Sequence, residues 1–307
     1  MLGIIFCSNI KHIMVYSKNN IHPEQPGRVL TAERDLTKKY KDMIVKDKDY
    51  SIDEIIKHIK DGDFTKEHLR IIEHGFYDIN SAYSIKNISL EACINETRSL
   101  MTICDLMIDN KIDYGINVVR PPGHHCCNKK PGGFCIINTA IISAKRLLKK
   151  FNRVVIFDID LHHGGGTQKM VERNPDLMYV SIHNKNVWSD GLYKRGISGK
   201  RNRIINVALP GQSNDEKYIQ ISKDLIPEMK LFSDIIILSV GFDTHKDEIS
   251  VGESKAQRMN ITKKYYGELG KMLRNNFKKV FVVLEGGYNE KVISEGLSEI
   301  IDNLLKK

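Results

Sequence analysis

Six near-continuous apolar runs punctuate the chain: Gly115 to Val119, Val154 to Phe157, Met178 to Ile182, Ile204 to Leu209, Ile235 to Val240 and Val280 to Leu284. Each is too short for an ordinary helix and too uniformly apolar for a strand with one wet face, so they read as strands of one central, mostly parallel sheet. Between them lie Leu90 to Asn110, Thr139 to Lys150, Asn214 to Leu231, Thr262 to Asn276 and Asn289 to Leu305, whose apolar residues recur at helical spacing. Strands alternating with helices predict an α/β fold of three layers, with helices covering both sheet faces. No internal repeat, low-complexity tract or Pro/Gly/Ser linker breaks the alternation, and residues 1–307 are expected to form a single domain.

The polar residues that matter fall where the strands end. The first run leads into Arg120-Pro121-Pro122-Gly123-His124-His125 and the second into Asp158-Ile159-Asp160-Leu161-His162-His163. The fifth leads into Gly241-Phe242-Asp243 and the sixth into Glu285-Gly286-Gly287-Tyr288. Open α/β sheets bind ligands at this edge, and core packing has no use for charges there. If the strand continues, Asp160 and His162 share a face, with Asp158 on the same side, and offer one oxygen and one nitrogen to a single ion. With Asp243 they form a three-ligand set of the catalytic kind, which leaves positions open for water and substrate. Such an ion acts as a Lewis acid, while an adjacent imidazole, His124 or His125, takes a proton from water. Asp158 is available to orient one imidazole through its Nδ1. Tyr288, following two glycines, brings a protonated phenol to an oxyanion as it forms. Mixed Asp/His ligation accepts zinc and ferrous iron alike.

Composition narrows the class further. The net charge is +9 and the pI about 9.1, but the lysines are spread over helix faces such as Lys145 to Lys150, without interleaved aromatics or a nucleic-acid motif. A solvated surface is expected rather than direct nucleic-acid binding. No stretch of about 20 apolar residues and no signal-peptide start is found, which predicts a protein off the membrane and inside the cell: cytoplasmic, or nuclear in a eukaryotic host. Six cysteines, two of them the adjacent Cys126 and Cys127, match neither a zinc finger nor a disulfide framework and read as reduced, buried thiols.

Together these segments resemble the zinc-dependent histone deacetylases and the related acetylpolyamine amidohydrolases. The resemblance runs in order from His22-Pro23-Glu24-Gln25-Pro26-Gly27-Arg28-Val29 through Arg120 to His125, Gly132-Gly133-Phe134-Cys135, Asp158 to His163 and Gly166-Thr167-Gln168, then Gly241 to Asp243 and Glu285 to Tyr288. It implies an arginase-like α/β fold, one zinc, and hydrolysis of an acetylated amine on a histone-like protein or on a small molecule. It implies zinc ligation by Asp160, His162 and Asp243, general acid/base chemistry by His125, and electrostatic support by His124 backed by Asp158. Tyr288 becomes the oxyanion donor. Gly133 and Phe134 line a substrate channel, with Trp188 or Tyr193 on the facing wall. A structural potassium ion is implied at the carbonyls around Asp158 to His162 and at Ser181. The opening motif and the Arg-Pro-Pro-Gly-His-His run look more like the class II protein deacetylases.

Two departures stand out. The family carries Asp or Asn two residues after His163, where this chain has Gly165, so no side chain there orients His125. From Thr244 to Arg258 the chain reads Asp247-Glu248-Ile249-Ser250 in place of the usual Asp-Pro-Leu, which puts the rim of the pocket in question. Glu248 and Glu253 are candidates for an acidic gatekeeper that would select polyamines. An arginase-type dimanganese site fits poorly, because Gly164 stands two positions after His162 where a carboxylate is needed. A scaffold released from catalysis is the non-enzymatic alternative, with Gly165 its best support.

Overall fold

The computed structural model describes residues 1–9, 11, 14–16, 22–61, 76–78, 83–85, 89–127, 131–187, 196–198, 203–250 and 254–306. The strands are β1 (Leu2–Cys7), β2 (Met14–Tyr16), β3 (Phe76–Asp78), β4 (Tyr83–Ile85), β5 (Tyr114–Val119), β6 (Val154–Asp158), β7 (Leu177–Asn184), β8 (Gly196–Ser198), β9 (Ile204–Leu209), β10 (Ile235–Val240) and β11 (Lys279–Leu284). The helices are α1 (Gly27–Lys39), α2 (Ile52–Asp61), α3 (Ser89–Ile108), α4 (Thr139–Leu147), α5 (Gly165–Val171), α6 (Asp215–Phe232), α7 (Lys263–Asn276) and α8 (Glu290–Leu305).

Eight strands form the main sheet in the order β1-β5-β11-β10-β6-β7-β9-β8. All neighbouring pairs are parallel except β8 against β9. Alternation within each strand divides the apolar residues between two faces. In β6, Val155 and Phe157 join a core with residues of α1, α6, α7 and α8, whereas Val154 and Ile156 join a second core with residues of α2 to α5. Burial on both faces is why these strands read as unbroken apolar runs. Several helices begin with side-chain caps: Asn138 accepts from Ile141 N, Asn214 from Lys217 N, Thr262 from Lys264 N and Asn289 from Val292 N. Among the described residues, no helix is long and apolar enough to cross a membrane.

The six expected strands and five expected helices are all present. Among the described residues, β1, β8, α1, α2, α5 and a separate three-stranded antiparallel sheet, β2-β4-β3, were not anticipated. A further expectation needs correction. Strand β6 stops at Asp158, so Asp160 and His162 lie in the following loop rather than at alternate positions of a strand. Two side-chain turns set their directions instead: Asp158 Oδ1 accepts from Asp160 N at 3.1 Å, and Asp160 Oδ1 accepts from His162 N at 2.8 Å.

Candidate active site

Four strand ends converge at the carboxyl edge of the sheet. The loop after β6 supplies Asp160 and His162, and the loop after β10 supplies Asp243. Their ligand atoms all lie within 4.8 Å of one another. His162 Nδ1 is 3.2 Å from Asp160 Oδ1 and 3.1 Å from Asp243 Oδ2. The outward oxygens are held by backbone: Gly286 N donates to Asp160 Oδ2 at 2.8 Å, and Leu161 N donates to Asp243 Oδ1 at 3.0 Å. Gly286 has to be glycine here, because a Cβ at that position would run into both carboxylates.

The electrostatics of this cluster favour a cation. Burial opposes a charge on His162, yet the Asp160 and Asp243 carboxylates raise its pKa to about 9. Burial together with the Asp160 carboxylate pushes Asp243 up to about 6. Burial also works against ionised Asp160, but His124 and His162 outweigh it and hold that carboxyl well below the usual range. Two carboxylates thus crowd around one imidazole proton. A borderline divalent ion suits two carboxylate oxygens and an imidazole nitrogen, and these three residues fit that group.

The tandem histidines sit beside this cluster, in the loop after β5. Their ring centroids are 4.1 Å apart, and the His125 ring is 5.8 Å from that of His162. Asp158 does not join the ligand cluster; its Oδ2 faces His124 Nδ1 at 3.1 Å and accepts from the Tyr179 hydroxyl at 3.0 Å. Burial would suppress a charge on His124, but Asp160 and Asp158 prevail and raise its pKa well above the ordinary value. The backbone of the pair is gripped from below by Glu285, whose Oε2 accepts from Gly123 N at 2.7 Å and His124 N at 3.0 Å. Burial pushes Glu285 up to about 7. Gly133 has φ +53, and a Cβ there would strike the His125 ring, so glycine is required for close packing.

Tyr288 is buried, and its ring lies between the Arg28 guanidinium, 4.7 Å from the centroid, and Phe134, 6.0 Å away edge-on. Burial keeps the phenol protonated far above neutral pH. Arg28 also donates to the carbonyls of Gly287 and Glu285, and Glu24 bridges Arg28 to Arg120. This buried ion network ties α1 to the Gly-Gly-Tyr turn. Thus Asp160, His162, Asp243, His124, His125, Asp158, Tyr288, Gly133 and Phe134 are brought together. Trp188, Tyr193 and Glu253 lie outside the described residues. Glu285, Glu24, Arg28 and Arg120 were legible only as members of motifs, with no signal in the sequence for what each would hold.

Glu248 is not a gatekeeper. It is 2% exposed, and both of its carboxylate oxygens accept backbone N–H groups. The rim beside it presents Ile249, 69% exposed. All six cysteines are buried.

The fold and the clustered site define an α/β protein of the deacetylase type. Residues 22–304 match the histone deacetylase domain, and the chain belongs to that family. Histone deacetylase HDA1 of Saccharomyces cerevisiae is 28% identical over 298 residues, which cover 91% of this chain and 39% of that protein. An acetylpolyamine amidohydrolase of Burkholderia pseudomallei is 31% identical over 179 residues, covering 55% of this chain and 50% of that protein. The crystal structure of the HDA15 HD domain superposes with a TM-score of 0.84 at 24% identity, over 99% of this chain and 91% of that one. The family and fold inferred from the motifs are borne out.

Proposed function

We propose that this chain is a metal-dependent amidohydrolase that removes acetyl groups from N-acetyl-lysine of histones or other proteins. The observation that carries the reading is the convergence of the Asp160, His162, Asp243 cluster with the His124–Asp158 pair and the buried Tyr288 at one sheet edge. Zinc or ferrous iron held by Asp160, His162 and Asp243 would supply Lewis-acid activation of the acetyl carbonyl and of water. His125 accepts the proton that water loses as its oxygen bonds to the carbonyl carbon, and returns it to the amine nitrogen as the C–N bond breaks. His124, its pKa raised by Asp160 and Asp158, supplies positive potential beside the developing oxyanion, and the Tyr288 hydroxyl donates a hydrogen bond to it. Phe134, with Gly133 beside it, lines the channel for the lysine stem. A potassium ion at the carbonyls of Asp158 to His162 would have Ser181 as its neighbour in register on β7, with the Ser181 hydroxyl 2.8 Å from His183 Nδ1.

An acetylpolyamine substrate is the second reading, favoured by the Burkholderia relative. Glu248, engaged by four backbone N–H groups, does not supply the free carboxylate that a second cationic nitrogen needs, so an acidic gatekeeper in this reading would be Glu253. The test is turnover by zinc-loaded protein on an acetyl-lysine peptide and an acetylated polyamine in parallel, with Tyr288→Phe as control. Peptide preference supports the reading, polyamine preference replaces it with the second, and zinc binding without turnover on either returns the scaffold alternative.

A further inference from the structure

The Glu248 carboxylate joins two loops. Oε1 accepts from Ile249 N at 2.8 Å and Ser250 N at 2.9 Å, within the rim loop after β10. Oε2 accepts from Tyr288 N at 2.8 Å and Asn289 N at 3.3 Å, in the turn after β11. Asn289 Nδ2 returns a bond to Asp247 O at 2.9 Å, closing the junction from the other side. Asn289 is also the N-cap of α8, so the carboxylate sits against the positive end of a 16-residue helix. Charge-assisted bonds to four backbone donors offset the cost of burying the carboxylate, an outlay that core packing alone would not require.

We propose that Glu248 is a positioning residue for Tyr288. By fixing the peptide N–H of Tyr288 it sets where the phenol points, and it couples that phenol to the loop that follows Asp243. What Tyr288 then does chemically rests on the deacetylase reading; the coupling itself does not. Arg28 grips the same turn through the carbonyls of Glu285 and Gly287, so the turn is held by an acceptor on its N–H side and by a donor on its C=O side. Glutamine at 248 keeps the length but turns an NH2 toward one pair of N–H donors, replacing attraction with repulsion.

The experiment compares Glu248→Gln and Glu248→Asp with the unchanged zinc-loaded protein, each with and without Tyr288→Phe. Amide hydrogen exchange at Tyr288 and Asn289 should rise about tenfold or more in Glu248→Gln, while amides of β11 stay protected. On an acetyl-lysine peptide, kcat should fall about 10- to 100-fold with KM within about threefold, because the lost contact acts on transition-state charge. In the Tyr288→Phe background the same substitution should cost less than about threefold, since Glu248 works through the phenol. Equal losses in both backgrounds, or unchanged exchange, would overturn the proposal. If Glu248→Gln fails to fold, Glu248→Asp, one methylene short but still charged, is read by the same comparisons with an intermediate loss. Should the unchanged protein lack turnover, the deacetylase reading falls and exchange alone decides the role of Glu248.

Discussion

His124 Nδ1 lies 3.1 Å from Asp158 Oδ2, with both groups buried. Together with Asp160, this carboxylate raises the pKa of the imidazole in a place where burial would lower it. Asp158→Asn preserves the shape and removes the charge. The expected result is a kcat lower by about 10- to 100-fold with zinc content unchanged, the usual cost of losing a partner that orients a reacting histidine. Turnover equal to that of the unchanged protein would remove His124 from the proposed chemistry.

Asp243→Asn deletes one of the three ligands. Zinc stoichiometry after dialysis should drop from near one per chain to near zero, and activity with it. A chelator should have the same effect on the unchanged protein and lower its melting temperature, and added zinc should restore both. A chelated protein that keeps both full turnover and melting temperature would rule out a resident metal.

Gly165 places no side chain against His125. An Asn side chain at this position would add a group able to orient the His125 ring for proton transfer. Gly165→Asn should raise kcat and move the acidic limb of the pH–rate profile upward by a fraction of a unit. If both stay where they are, the missing side chain is irrelevant to rate.

His58 lies far from this chemistry, on α2 against α4. Its Nε2 is 3.1 Å from the Ile142 carbonyl, to which the neutral ring donates, and it is 2% exposed. Burial, with Arg146 and Lys149 nearby, lowers its pKa to about 4. The unfolded chain therefore takes up a proton first as pH falls. The contribution to stability is complete above about pH 6.5, shrinks between about 6.5 and 4, and amounts to roughly 3 kcal/mol at most. Urea unfolding at pH 7 and pH 5 should show this loss in the unchanged protein and less of it in His58→Leu. An identical pH dependence in the two would assign the acid sensitivity elsewhere.

The sheet and the site were legible in the sequence to different depths. The interior strands announced themselves because burial on both faces leaves no polar position, as in Ile235–Val240. Strand β1, LGIIFC, is equally apolar, but a short apolar run near a chain start does not by itself distinguish a strand from a leader segment. Helix α1 buries Val29, Ala32 and Leu36 at helical spacing, a pattern masked by its many charged neighbours. The ligands were found by residue type, but the supposed cause, strand alternation, was wrong: hydrogen-bonded turns through Asp158 and Asp160 direct them. The bonds from Glu24 to Arg120 and from Glu248 to Tyr288 join residues 96 and 40 positions apart. No local pattern encodes such pairs.

The strand order has a consequence for how the molecule is made. β10 and β11 lie between β5 and β6, although they are the last strands in the chain. Until residues 235–284 have left the ribosome, the earlier strands form two blocks, β1 with β5 and β6 with β7, β9 and β8, without the two strands that pair between them. The tandem histidines stand on one block and Asp160 and His162 on the other. Synthesis therefore completes the sheet and the site in a single late event, and a chain stopped before β10 exposes two raw strand edges and no working centre.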